Sequence, residues 1–143
     1  MRILICEDDP LQLDWLVCRL KDEDTFVQTA QQGDQAFAQW QSGRPWDFVL
    51  TDFCFLPGDK IKNGLELVRA ICGFDPSQRI IVQTGDRNLL VPPRVKLLRK
   101  PYSFGRLVRT MQGMQALAPL PLFRGTKPAG AKDKQGKQGL TGS

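Results

Sequence analysis

Arg2-Ile3-Leu4-Ile5-Cys6-Glu7-Asp8-Asp9-Pro10 sets a short apolar run directly ahead of three acids and a proline. Asp9-Pro10 opens a helix: Asp9 can cap it, Pro10 suits the first helical position, and Gln12 sits where a capping box wants its partner. Three later runs also end on a reactive residue, Phe48 to Thr51 on Asp52, Ile80 to Gln83 on Thr84, and Val95 to Arg99 on Lys100. Ligands of open parallel sheets bind outside the carboxyl ends of the strands, so neighbouring strands would bring these polar ends to one crevice.

Leu13, Leu16, Val17 and Leu20 carry the first helix to about Lys21 at helical spacing. Thr25 to Thr29 is a second strand. Gly33-Asp34 leads a second helix with Ala36, Phe37 and Trp40, which Ser42-Gly43-Arg44-Pro45 stops. Trp46 to Thr51 is a third strand, apolar enough to be covered on both faces. Phe53 to Asn63 is a long loop made basic by Lys60 and Lys62, with Pro57-Gly58 as a turn signal. Gly64 starts a third helix through Leu65, Leu67, Val68 and Ile71, and Arg79 to Thr84 is the fourth strand. Only residues 85 to 94, with Pro92-Pro93 among them, separate it from the fifth, so the helix expected there is at most a turn or two. Phe104, Leu107, Val108 and Met111 then define a last helix.

Strand and helix alternate five times, which predicts an α/β fold: a three-layer α/β/α sandwich on a five-stranded parallel sheet of order 2-1-3-4-5, its fourth helix shortened or missing. In that order the crevice between strands one and three holds Asp8 and Asp52. The 143 residues suit one domain, expected over 1–118, followed by a flexible basic Pro/Gly/Lys tail over 119–143. The net charge of +5 sits largely in that tail. Within the domain, residues 1–59 hold 11 acids against 4 bases and residues 60–118 hold 11 bases against 3 acids. No run is long enough to span a bilayer, and the amino terminus turns acidic where a signal peptide would stay apolar, so a cytoplasmic protein is expected. Cys6, Cys18, Cys54 and Cys72 form no C-x-x-C pair and read as reduced and mostly packed. The chain has no histidine, so its chemistry must use carboxylates, a hydroxyl and an amine.

Glu7, Asp8 and Asp52 in one crevice would repel strongly unless cations answer them. Oxygen ligands of this kind suit Mg²⁺, which commonly takes one or two carboxylates and a phosphate, and Lys100 adds a compact positive charge. An Asp carboxylate can attack phosphorus to give an acyl phosphate, and such transfer relies on positioning and charge neutralisation. The roles then distribute: Asp52 attacks, Asp8 holds the metal, Glu7 holds it through water or orients it, Lys100 binds the phosphoryl group, the Thr84 hydroxyl donates to it, and the Cys54 carbonyl supplies a further metal oxygen. Taken singly, each has a plain structural reading, Asp9 as a cap and Asp52 with Lys100 as an ion pair.

On ILICEDDP, the Asp52 strand end, IIVQTG and the Lys-Pro pair of RKPY, the chain resembles the receiver domain of bacterial two-component response regulators over about residues 1–118. The resemblance implies a flavodoxin-like (CheY-like) fold and a phosphoryl group accepted on Asp52, with Mg²⁺, from a sensor histidine kinase or a histidine phosphotransfer protein. With no output domain expected after the last helix, only the basic tail, a stand-alone receiver without a DNA-binding domain or membrane segment is expected, signalling to a protein target not named by the sequence, with a homodimer also open. Three departures stand out. Pro57 comes one position late and Gly64 further along, so the loop after the acceptor is expanded. The fourth helix is curtailed. Leu97 stands where many members place Tyr or Phe. The alternatives are a phosphorylation-independent pseudo-receiver interaction module, nucleic-acid or anionic-surface binding by the tail, and an aspartyl-phosphate hydrolase, which wants an acid where Cys54 stands.

Overall fold

Five runs rich in Ile, Leu and Val become parallel strands, β1 (Arg2–Cys6), β2 (Phe26–Ala30), β3 (Phe48–Asp52), β4 (Ile80–Thr84) and β5 (Lys96–Arg99), in the order β2-β1-β3-β4-β5. The helices are α1 (Pro10–Leu20), α2 (Gly33–Gly43), α3 (Gly64–Phe74) and α4 (Phe104–Gln115). The computed structural model describes residues 1–116, so the expected tail over 119–143 lies outside the described residues.

The alternation of side chains along each strand divides the interior into two layers. Ile3 and Ile5 of β1 face α1 and α4, where Leu16, Leu20, Leu107, Met111 and Met114 meet Phe48, Leu50, Ile81 and Leu98. Leu4 and Cys6 face the other way, onto Ala36 and Trp40 of α2 and Leu67, Val68 and Ile71 of α3. Every residue of β3 and β4 is buried. At roughly 1.5–3 kcal/mol per fully buried aliphatic or aromatic side chain, these two layers are the main source of stability. Trp40, fully buried, donates its indole N–H to Gln78 Oε1 at 2.9 Å, and its carbonyl accepts the Trp46 indole N–H at 3.1 Å, so the large aromatics close their polar edges within the core.

Between β4 and β5 there is no helix, and the curtailment expected from Pro92-Pro93 is complete. Leu89, Val91, Val95 and Leu97 instead lie on the face shared with α2 and α3, and a bare loop covers that flank of the sheet.

Several local expectations are corrected. β2 and β3 begin one and two residues later than the hydrophobic pattern suggested, and β3 runs on through Asp52. Trp46 lies outside the ladder although it is buried. Asp9 caps α1 through the Leu11 N–H, but Gln12 closes no capping box, because its amide is drawn inward to Gln83 and Tyr102. The cysteines are not mostly packed: Cys6 is buried, Cys72 half-buried, and Cys18 and Cys54 exposed.

The expanded loop after β3 is held by α2. The Asp34 carboxylate accepts the backbone N–H groups of Asp59, Lys60 and Ile61, the first and last at 2.8 Å, and these bonds lower its pKa. Leu56 bridges Gln32, and Ile61 packs where a Cβ on Gly33 would collide with it, so only glycine fits there. Asp34→Ala is therefore expected to speed hydrogen exchange at the amides of Asp59 to Ile61 while exchange in β1 and β3 stays as in the parent. Unchanged exchange in that loop would show that Asp34 is not its anchor.

Candidate functional site

Strand ends β1, β3 and β5 deliver the acids and the amine because parallel pairing aligns their carboxyl termini. Cys6 pairs with Thr51 across β1 and β3, Asp52 with Gln83 across β3 and β4, and Thr84 with Arg99 across β4 and β5. Glu7, Asp8, Asp52 and Lys100 thus leave adjacent ladders at one end of the sheet. The turn beyond Asp52 is tight. Phe53 N–H donates to Gln83 O at 2.9 Å, and Gly64 N–H returns to Phe53 O at 2.7 Å. A Cβ on Gly64 would collide with the Asp52 carbonyl oxygen and lie 3.0 Å from Phe53 Cα, so α3 begins directly against the backbone of Asp52.

Glu7, Asp8 and Asp52 each offer a carboxylate oxygen within 4.8 Å of the other two. Lys100 Nζ lies 3.0 Å from Asp52 Oδ1 and 3.7 Å from Glu7 Oε1. Three acids therefore face one ammonium, and the charge left over asks for a further cation. Burial pushes the Glu7 carboxyl up to about 7, against the bond from Asp9 N–H and with the nearby Asp52 charge adding to the rise. Burial also raises Asp52, and Lys100 only partly offsets it. Burial alone would lower Lys100, but the hydrogen bond and charge of Asp52, with Glu7 behind it, hold the ammonium above its ordinary value.

All-oxygen donors at this spacing fit a hard divalent cation such as Mg²⁺. Cys54 is exposed, and its thiol does not join the cluster. Thr84 closes β4, nearly buried, and its Oγ1 accepts the Asp86 N–H at 3.0 Å, which leaves its own O–H as a donor.

Two polar residues escaped the sequence reading. Gln83, fully buried, donates its Nε2 to Glu7 Oε1 at 3.1 Å, and Tyr102 O–H donates to Gln83 Oε1. A Gln inside an otherwise aliphatic strand was the available signal, since a buried amide must find partners. The Asp9 backbone N–H, 3.1 Å from Glu7 Oε2, completes the bonds to that carboxylate.

A family model described as the response regulator receiver domain matches residues 3–112. A search of curated proteins finds no match. Among solved structures, a response regulator receiver protein from Sinorhizobium medicae is 24% identical, with 80% of this chain and 93% of that one covered and a TM-score of 0.71. A receiver domain protein from Clostridium thermocellum is 21% identical over 79% of this chain and 92% of that one, at a TM-score of 0.68. A chain from the complex of histidine kinase ThkA with response regulator protein TrrA is 24% identical over 79% of this chain and 97% of that one, at 0.66. At these identities the likeness is one of fold.

Proposed function

Since the chain belongs to the response regulator receiver domain family, we propose that it acts as a phosphoacceptor in a two-component system, with Asp52 as the acceptor. The observation that carries this reading is the trio Glu7, Asp8 and Asp52 gathered within 4.8 Å, with Lys100 Nζ 3.0 Å from Asp52.

Asp52 attacks the phosphorus of a phosphohistidine on a sensor kinase or phosphotransfer protein, or of a small phosphodonor. An O–P bond forms at Asp52, the donor bond to phosphorus breaks, and its electron pair leaves with the donor. A Mg²⁺ ion, when bound, neutralises phosphoryl charge that the three acids would otherwise repel. Glu7, Asp8 and Asp52 would hold it, with the Cys54 carbonyl as a further oxygen. Lys100 pairs with the transferred group and the Thr84 hydroxyl donates to it. Burial of Asp52 between β1 and β4 limits water around the acyl phosphate. The phosphorylated face then engages a protein target. The domain is a signalling module, with at most self-catalysed phosphorylation and dephosphorylation.

The helix-free segment between β4 and β5, together with Leu97, favours a second reading in which the fold serves as a phosphorylation-independent interaction module. Intact-mass measurement with acetyl phosphate separates the two. Mg²⁺-dependent addition of one phosphoryl group is expected, and an unmodified mass in the presence of both reagents would leave only the interaction module.

A further inference from the structure

One feature of the β4 end does not follow from phosphoryl capture alone. Gln83 is a wholly buried amide in a strand whose other core residues, Ile80, Ile81 and Val82, are aliphatic. A buried amide without partners costs about 1–3 kcal/mol, so it persists where both of its edges are bonded. Here they are: Glu7 in the acidic cluster takes the Nε2 edge, and Tyr102 at the foot of α4 takes the Oε1 edge. The Gln12 amide of α1 reaches both Gln83 Oε1 and Tyr102 Oη at 3.5 Å. The Tyr102 ring in turn meets Trp15 of α1 edge to face, 5.9 Å between centroids, and Trp15 meets Phe104 of α4 at 6.3 Å. Gln12, Trp15, Lys100, Pro101 and Tyr102 line an open hollow on this face.

On the other face of the sheet a loop, with no helix, joins β4 to β5, and Leu97 packs with the α2 and α3 layer. Resting on the reading that the cluster takes a divalent cation, we propose that Gln83 is a positioning residue whose amide couples Glu7 to Tyr102, so that occupation of the acidic cluster is transmitted to the α1–α4 face at Trp15.

The amide plane makes this transmission concerted. Its donor and acceptor atoms are fixed to one sp² carbon, so Nε2 cannot turn away from Glu7 without carrying Oε1 away from Tyr102. A cation entering among the three carboxylates competes for the Glu7 Oε1 lone pairs that now accept from Gln83. The weakened bond lets the amide rotate, the Tyr102 hydroxyl loses its acceptor, and its ring shifts against Trp15. Gln12, bonded to both, moves α1 with them.

Nuclear magnetic resonance on the whole ¹⁵N-labelled chain titrated with MgCl₂ tests the proposal with two built-in probes. The Asp9 backbone amide, bonded to Glu7, reports occupation of the cluster, and the Trp15 indole N–H reports the far end. The indoles of Trp40 and Trp46 serve as references, since their partners are Gln78 and the Trp40 carbonyl. In the parent, the Asp9 and Trp15 signals are expected to shift along one saturation curve. In Gln83→Leu and in Tyr102→Phe the Asp9 shift persists and the Trp15 shift is lost. Tyr102→Phe keeps the ring on Trp15 and removes only the hydroxyl, so the test stands even where Gln83→Leu fails to fold. A Trp15 shift retained in Tyr102→Phe, or absent in the parent while Asp9 responds, overturns the relay and leaves the cation site intact. An Asp9 signal that ignores MgCl₂ in the parent removes the cation site and the relay together.

Discussion

Asp52→Asn is expected to abolish phosphoryl incorporation from acetyl phosphate and Mg²⁺ while raising the melting temperature of the cation-free protein. Asparagine has the shape of aspartate and keeps an oxygen for the Phe53 N–H, which donates to Asp52 Oδ1 at 3.1 Å. It has no carboxylate to attack phosphorus, so the loss of labelling should be complete. The stability change follows from the charge balance. Burial disfavours ionised Asp52 by more than Lys100 repays, as the raised pKa records, and the variant removes one of three acids facing one amine. Lys100 retains Glu7 at 3.7 Å. The gain should appear as a melting temperature above that of the parent. Phosphate found on the variant by intact mass would move the acceptor elsewhere, and a lower melting temperature would show the Asp52–Lys100 pair to outweigh burial.

The second large effect is a pH dependence of stability in the absence of divalent cations, dominated by Glu7. Its carboxyl titrates at about 7 in the fold against 4.5 ordinarily. Below the ordinary value both folded and unfolded chains are protonated and Glu7 imposes nothing. As pH rises through that window the unfolded chain releases its proton first, the folded state binds more protons, and stability falls. The decline ends near pH 7 and amounts to roughly 3 kcal/mol for this residue. Chemical denaturation in EDTA from pH 5 to 8 is expected to show that fall, and Glu7→Gln to flatten it. Mg²⁺ at pH 8 should restore much of the loss, because a ligand that binds only the folded state stabilises it by mass action. A parent whose stability rises steadily from pH 5 to 8 in EDTA would contradict the burial that holds the Glu7 carboxyl up.

The architecture and the trio of acids were legible because both depend on short-range pattern. Apolar runs bounded by polar ends mark strands, and parallel pairing then forces those ends together whatever else the chain does. Asp8, Asp52 and Lys100 could therefore be placed from order alone, as could the missing helix, since Pro92-Pro93 removes backbone donors within a ten-residue crossover. What could not be read depends on contacts between distant positions. Gln12 satisfied a local capping rule yet is claimed by Gln83 and Tyr102, residues 71 and 90 places away. Gln83 itself was hidden inside a strand that matched its pattern in every other residue. Asp34 read as a helix start, and only the tertiary fold turns its carboxylate toward three amides of another loop.

The return of Gly64 N–H to Phe53 O places the two feet of the segment 54–63 a single hydrogen bond apart. Closing such an excursion on a fixed pair of feet sets only a weak limit on its length. Closure entropy grows only logarithmically, and two additional residues in ten weigh roughly 0.2 kcal/mol. Insertions at the Pro57-Gly58 tip, between the Leu56 bridge and the amides held by Asp34, cost little closure energy, and descendants of this chain are at liberty to vary the rim that a visiting protein meets while the phosphorus-facing atoms stay where they are.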